Sequence, residues 1–282
     1  MSSCTMSIGF IGGGNMSTVI FKAVLKAGCY TGSNVTVSGP HIQNLKHFQE
    51  QGATVTSDNY LIFNNCNVIF LGVKPDKLDT SLKSCASSNV KSNTLFVSML
   101  AGIKIATLQE TLDRYLPGQK ISVVRIMPNT PMSVGKGICL YTPDSTVTDP
   151  QCILLEKLLS SSALVEKVPE ALMDSLGALT ACGPAFMYLV IEALADGAVK
   201  QGVPRNLATR HAAQMLVGSG EMVLKSGKHP GLLKDEVCSP GGSTICGVAS
   251  LENGQVRATM INAIEASCNQ NKVLGAVKSS HS

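Results

Sequence analysis

Gly9-Phe10-Ile11-Gly12-Gly13-Gly14-Asn15-Met16-Ser17 closes an apolar run that begins at Met6 and opens a helical pattern over residues 15–27. A glycine-rich turn between a strand and a helix is the setting of a dinucleotide-binding fingerprint. Gly12 permits the tight turn, and Gly14 lets a pyrophosphate approach free N–H groups at the helix N-terminus, where the helix dipole favours anions. Ser17 stands where the fingerprint has Gly or Ala and is still small enough for close helix packing. In isolation such a string is also compatible with a merely structural turn, so the flanking pattern matters.

Outward from this turn, short β-branched runs alternate with helical periodicity. Strands are expected at 6–11, 35–38, 53–56, 68–73, 94–98, 121–126 and 137–142, with helices at 15–27, 42–50, 76–84 and 103–112. The run 68–73 is apolar on both faces, as in a parallel sheet covered on both sides. Residues 1–168 therefore read as an α/β, doubly wound Rossmann-type NAD(P)-binding domain. From Pro169 the β-branched runs give way to Ala/Leu/Met-rich segments at 171–180, 184–201, 205–225, 243–252 and 255–272, so residues 169–282 read as all-helical, with a frayed tail. Segments 184–201 and 205–225 are apolar around much of their circumference, more than one buried stripe requires. A second copy of the chain is expected to cover the remainder.

Composition excludes several classes. The 282 residues are 44% hydrophobic, and 23 basic against 19 acidic side chains leave a net charge of +4, too mild and scattered for a nucleic-acid track. Ten cysteines without a CxxC pair read as reduced thiols, and five histidines fall at no ligand spacing, so no metal is expected. The first lysine is Lys22 and the first arginine Arg114, and no uninterrupted apolar run nears the roughly 20 residues of a membrane span. The expectation is a cytoplasmic protein without a membrane partner.

The acidic residue that usually follows the fingerprint and binds the NAD ribose is missing. No Asp or Glu precedes Glu50, and the second strand ends Val37-Ser38-Gly39-Pro40-His41. A 2′-phosphate meets no repelling carboxylate there, which favours NADPH while leaving NADH open. Other strand ends carry candidate crevice residues. Gly72-Val73-Lys74-Pro75 offers a lysine that either lines the crevice or is solvated. Ser98-Met99-Leu100-Ala101-Gly102 is either a site of close backbone approach or a tight turn, and Val124-Arg125-Ile126-Met127-Pro128-Asn129-Thr130-Pro131 is either a rigid wall or a direct contact. In the helical half, Ser239, Gly242, Ser243 and Thr244 precede an apolar helix. They read as a second anion site or as an ordinary helix cap.

That segment, Asp235-Glu236-Val237-Cys238-Ser239-Pro240-Gly241-Gly242-Ser243-Thr244 with its continuation to Ser267, resembles the C-terminal signature of pyrroline-5-carboxylate reductases. The fingerprint, Val73-Lys74-Pro75, Met127-Pro128-Asn129-Thr130-Pro131, Gly183-Pro184-Ala185 and Ala193-Leu194-Ala195-Asp196-Gly197-Ala198 resemble the same family, in order, from about Ile8 to about Lys272. The resemblance implies NAD(P)H-dependent reduction of 1-pyrroline-5-carboxylate to L-proline, the last step of proline biosynthesis. It implies that Ile11, Gly12, Gly13, Gly14, Asn15, Met16, Ser38, Asn59, Gly72, Val73, Lys74, Pro75, Leu100, Ala101 and Gly102 hold the dinucleotide. By the same carry-over Ser239, Gly242, Ser243 and Thr244 hold the substrate, Thr244 at the ring nitrogen. It further implies an interlocked homodimer through the helical domain, in a larger ring such as a decamer. The chain departs from the pattern at Gly39, where some relatives carry a hydroxyl, and at Thr180-Ala181-Cys182-Gly183, often a Ser/Gly-rich turn. The rivals are a reductase of another cyclic imine or 2-oxo acid, and a dinucleotide-binding regulator without turnover. Between Glu170 and Met222 the only lysine is Lys200, against a β-hydroxyacid dehydrogenase, for which a catalytic lysine is expected there.

Overall fold

The computed structural model describes residues 6–86 and 88–276; Cys4, His281 and the tail read as frayed beyond 276 lie outside them. The chain divides into two compact units, one within Met1–Ala181 and Cys268–Ser282, the other Cys182–Ser267.

The first unit runs β1 (Ile8–Ile11), α1 (Asn15–Lys26), β2 (Val35–Ser38), α2 (Lys46–Gln49), β3 (Thr54–Thr56), α3 (Asn59–Asn65), β4 (Val68–Leu71), α4 (Leu78–Lys83), β5 (Leu95–Ser98), α5 (Ile105–Tyr115), β6 (Ser122–Pro128), β7 (Gly137–Pro143), α6 (Asp149–Leu159), β8 (Ala163–Lys167) and α7 (Glu170–Thr180). The eight strands form one sheet in the order β3-β2-β1-β4-β5-β6-β7-β8. Successive side chains of a strand face opposite sides, so continuous apolar runs build two cores. Phe10, Phe70 and Val97 join Phe21 of α1, Phe48 of α2 and Leu155 of α6 on one face. Ile11, Ile69, Leu71 and Phe96 join Phe63 of α3, Leu82 of α4 and Leu108 of α5 on the other. Phe10 and Phe70, opposite each other in the β1/β4 register, stack at 4.8 Å.

Three local features differ from the sequence reading. Strand β7 is antiparallel to β6, because residues 129–136 are too few for a crossover and turn back through a 3-10 segment ending at left-handed Gly135 (φ 76°). Strand β8 was not expected: Ala163–Lys167 is a mostly uncovered edge strand with two charged residues, so it lacks the apolar run that marks the interior strands. The helical expectation at 42–50 resolves into a 3-10 turn, Ile42–Leu45, and the single turn of α2.

The second unit comprises α8 (Gly183–Lys200), α9 (Arg205–Ser226), α10 (Pro230–Val237), α11 (Ser243–Asn253) and the start of α12 (Val256–Ala276). Pro184 lies in the first turn of α8, and Gly227 (φ 64°) ends α9 in the left-handed conformation that glycine tolerates. Ala195, Ala208 and Ala212 are its only buried apolar side chains among the described residues, while Leu189, Val217, Met222 and Leu224 stand exposed. A 22-residue α9 with two buried alanines has no core of its own to pack on. The stretch Glu170–Lys200 is also long and apolar enough to cross a membrane by length and composition. Counting only uninterrupted apolar residues missed it, because Gly, Thr, Glu and Asp punctuate it.

Candidate active site

Strand register assembles the first set of candidate residues. Ile11 pairs with Ser38 on one side and Leu71 on the other, Leu71 with Ser98, and Ser98 with Arg125. The turns after β1, β2, β4 and β5 therefore leave the sheet along one carboxyl edge. Strand order reverses beside β1, with β2 on one flank and β4 on the other, and such switch points open a crevice for ligands.

The three glycines have separate work. Gly12 has φ +97°, and a Cβ there would lie 3.0 Å from backbone atoms of Gly72. A Cβ on Gly13 would drive into Leu45, whereas nothing lies within 4 Å of one on Gly14. Gly12 and Gly13 thus shape the turn, and Gly14 leaves the approach to the α1 amides open at Asn15 and Met16. No acidic residue sits in that first turn to repel an anion. Ser17 is buried and donates its hydroxyl to the Gly12 carbonyl at 2.5 Å, on the spot that a Cβ on Gly72 would occupy. Small residues at 12, 17 and 72 form one close contact between α1, β1 and the turn after β4.

Ser38 and Asn59 are brought together in an unforeseen way. The Ser38 side chain is fully buried and donates to Asn59 Oδ1 at 2.5 Å, while Asn59 Nδ2 donates to the Ser81 carbonyl at 3.0 Å. Ser38 therefore orients Asn59, and Asn59 is the one that reaches a pocket of about 380 Å3. Ile11, Gly12, Gly39, Val73 and Lys74 line the same pocket, together with Ser57 and Lys77, which the sequence reading did not single out. Pro75 opens the 3-10 turn Pro75–Lys77, capped by the extended Lys74. Further along the edge, Leu100 buries its side chain, Ala101 is exposed, and Gly102 (φ +74°) allows close backbone approach.

Arg125 was read only as part of a turn-forming stretch. It is 1% exposed and pairs with Asp174 at 2.9 Å and Glu170 at 3.5 Å, both on α7. The same Glu170 oxygen accepts from the Ile105 amide at 2.8 Å, so one carboxylate joins β6 to the first residue of α5. An arginine inside an otherwise apolar strand was the available signal. Asn129 is likewise structural: buried, it binds the Thr180 carbonyl at 3.0 Å and the Ile138 amide at 2.9 Å.

The second set lies in the helical unit. Left-handed Gly241 (φ +66°) turns the chain, and the Gly242 amide donates to the Ser239 carbonyl at 3.0 Å. A Cβ on Gly242 would fall 2.4 Å from Ser239 Oγ, so glycine is required for this turn to keep the serine in place. Gly242 itself is the N-cap of α11, with no side-chain cap, which places Ser243 and Thr244 in the first helical turn. Thr244 is half-buried, Ser239 and Ser243 are exposed, and none of their hydroxyls has a protein hydrogen-bond partner among the described residues. The reading of Thr244 as an ordinary cap does not hold. Its hydroxyl and the leading amides of α11 remain available. No group of three or more His, Cys, Asp or Glu able to hold a metal ion occurs among the described residues.

Comparison with known proteins bears on both units. A family model described as pyrroline-5-carboxylate reductase dimerisation matches residues 170–274, and one described as NADP oxidoreductase, coenzyme F420-dependent, matches 7–102. The zebrafish (Danio rerio) pyrroline-5-carboxylate reductase 3 is 42% identical over 96% of this chain and 92% of its own length. The chain belongs to the pyrroline-5-carboxylate reductase family. Human (Homo sapiens) pyrroline-5-carboxylate reductase 2 is 36% identical over 93% of this chain and 82% of its own length. The pyrroline carboxylate reductase of Plasmodium falciparum, solved with NADP bound, superposes with a TM-score of 0.85 at 32% identity, covering 96% of this chain and 98% of that one. This chain is accordingly an NAD(P)H-dependent oxidoreductase that reduces 1-pyrroline-5-carboxylate to proline, built on a Rossmann-like sheet and a helical region of the family's self-associating type.

Proposed function

We propose that the carboxyl-edge crevice of residues 1–168 holds NADPH and that the 239–244 turn of the helical part, residues 169–282, holds the imine acid. The observation that carries this reading is the free N-terminus of α11, where Gly242 caps without a side chain and leaves amides and the Thr244 hydroxyl unpaired. A bound dihydronicotinamide supplies the hydride for the imine carbon. The chain's own groups bind and orient. The α11 amides and Ser243 receive the substrate carboxylate, since a helix N-terminus stabilises an anion. The Thr244 hydroxyl hydrogen-bonds the ring nitrogen; a protonated imine is already electrophilic, so a positioned hydroxyl suffices without a metal or nucleophile.

In this reading the turns at the carboxyl edge supply the dinucleotide contacts. Gly12, Gly13, Gly14, Asn15 and Met16 cradle the pyrophosphate, and Ser38 fixes Asn59 toward the adenosine end. Gly72, Val73, Lys74 and Pro75 wall the crevice, with Ile11 at its floor. Leu100, Ala101 and Gly102 approach the nicotinamide side through backbone. The absence of carboxylates from the pocket lining supports NADPH as the better donor, with NADH also accepted.

The exposed apolar faces of α8 and α9 support an interlocked homodimer, assembled into a larger ring such as a decamer. The α8 face forms the longer part of the apolar stretch Glu170–Lys200, and in this reading a second copy rather than a membrane covers it. The location that accords with this reading is the cytoplasm. The decisive assay is NADPH oxidation with pyrroline-5-carboxylate, read in the absorbance of the reduced nicotinamide. Formation of proline in equal amount is expected; cofactor binding without turnover would favour a regulator instead.

A further inference from the structure

The pocket between the turns after β1, β2 and β4 is lined by two lysines, Lys74 and Lys77, whose charges hydride transfer to the imine does not itself require. Pro75 fixes the backbone after Lys74, and the Lys77 amide donates to the Lys74 carbonyl at 2.9 Å, closing the 3-10 turn. Residues three apart on a 3-10 turn lie nearly above one another, so Lys74 and Lys77 line the same pocket together. The Ser81 hydroxyl donates to the Lys77 carbonyl at 2.7 Å and holds the turn against α4. Opposite them stand Gly39, Ser57 and Asn59, the last held by Ser38.

Charge accounting favours an anion here. Among the described residues no carboxylate lines the pocket. Asp76 is the nearest competitor, 3.5 Å from Lys77 Nζ, but both side chains are largely exposed and such a pair is weak. Asp79 is engaged with Arg114 and Tyr115, and Asp58 caps α3 through the Tyr60 amide. Among the described residues Lys74 has no carboxylate partner. A ligand oxyanion entering the pocket therefore meets one unpaired ammonium and one weakly paired one, beside a hydroxyl and an amide.

We propose that Lys77, together with Lys74, reads the 2′-phosphate of the dinucleotide and sets the preference for NADPH over NADH. The proposal rests on the crevice being the dinucleotide site, and Lys77 is the specificity-determining member because Lys74 caps the turn and also walls the pocket. A 2′-phosphate near pH 7 carries close to two negative charges, and each charge-assisted contact strengthens binding of that group alone.

The test compares adenosine 2′,5′-bisphosphate with 5′-AMP by titration calorimetry, and NADPH with NADH in steady-state turnover. In Lys77→Met the affinity ratio of the two nucleotides, and the ratio of kcat/KM for the two donors, are each expected to fall roughly tenfold, mostly through KM. Lys77→Arg retains the preference, and Asp76→Asn, which frees the lysine, raises it. A Lys77→Met protein with both ratios within twofold of the parent overturns the assignment while leaving the crevice reading intact. A parent protein that binds neither nucleotide overturns both.

Discussion

The sheet unit and the helical unit bury their apolar residues in opposite ways. In the first, β1, β4 and β5 are buried at every position, and helices cover both faces. In the second, three alanines are buried, and large side chains such as Leu224, at 82% exposed, face outward. A chain segment cannot hold together at that level of burial, since conformational entropy opposes folding at every residue. The sheet unit is thus specified by contacts within one copy, whereas the helical unit leaves exposed the apolar faces proposed to meet a second one.

Breaking that second set of contacts gives the largest expected effect. Leu194, Leu207 and Met215 line a groove of about 420 Å3 between α8 and α9, the face proposed to receive the other copy. Charging it with Leu194→Glu and Met215→Glu together is expected to dissociate the protein in sedimentation and to lower turnover by roughly a hundredfold or more, because the assembly and the fold of this unit are one equilibrium. A parent chain that sediments as a folded, active monomer at low micromolar concentration would sink the contrast between the units.

Thr244 sharpens the contrast within the helical unit, between a residue that holds structure and one that serves chemistry. Since Gly242 is the cap of α11, Thr244→Val removes no capping bond, and the loss of about 0.5–2 kcal/mol usual for a cap is not expected. The expected loss is in kcat, roughly ten- to a thousandfold, with Thr244→Ser recovering most of it. Full kcat in Thr244→Val would remove the residue from the site.

In the sheet unit the corresponding weak point is ionic. Arg125→Met leaves Glu170 and Asp174, with side chains 30% and 27% exposed, without their cation; water reaches both carboxylates, so the cost is expected to fall below the roughly 3–5 kcal/mol of a fully buried pair. Glu170→Gln keeps an acceptor for the Ile105 amide and is expected to cost less. Melting temperatures of the two variants decide the point: equal losses would mean that the carboxylate charge, not the arginine, carries the contact.

What the sequence revealed divides along the same line. The interior strands and the fingerprint turn were legible because period-two burial and a strand-glycine-helix order are local signals. Strand β8 at the edge and the antiparallel β7 were not, since an edge strand needs no apolar run and direction is set by connection length. At the site, the tight turn at Gly12 and the open space beside Gly14 follow from backbone requirements that a glycine-rich string announces locally. The burial of Ser38 and the pocket position of Lys77 were not legible, because both depend on which side of a turn faces inward. Arg125 depends on partners 45 and 49 residues away.

The smallest expected effect concerns the cysteines, and it tests the contrast without changing a residue. Among the described cysteines the buried ones, Cys66, Cys85, Cys139 and Cys152, all lie in the sheet unit, whereas Cys182 and Cys238 are half-buried and Cys246 exposed in the helical unit. Burial pushes the Cys66 and Cys85 thiols up to about 11 and Cys139 up to about 12, partly offset at Cys66 by the Lys91 charge and at Cys85 by a hydrogen bond with Ser84. A raised thiol pKa in the folded state means that the fold binds the proton more tightly than the unfolded chain does. Its stabilisation is complete below the ordinary value of 9.0 and is lost as pH rises through 11. The melting temperature of the sheet unit is therefore expected to hold up to about pH 9 and to fall above it. At pH 8 a thiol reagent is expected to label exposed Cys29 at once and the buried thiols only on unfolding, because the thiolate is the reactive form. Cys182, Cys238 and Cys246 separate the units: slow in the assembled protein and fast after dissociation if a second copy covers them, or fast throughout if nothing does.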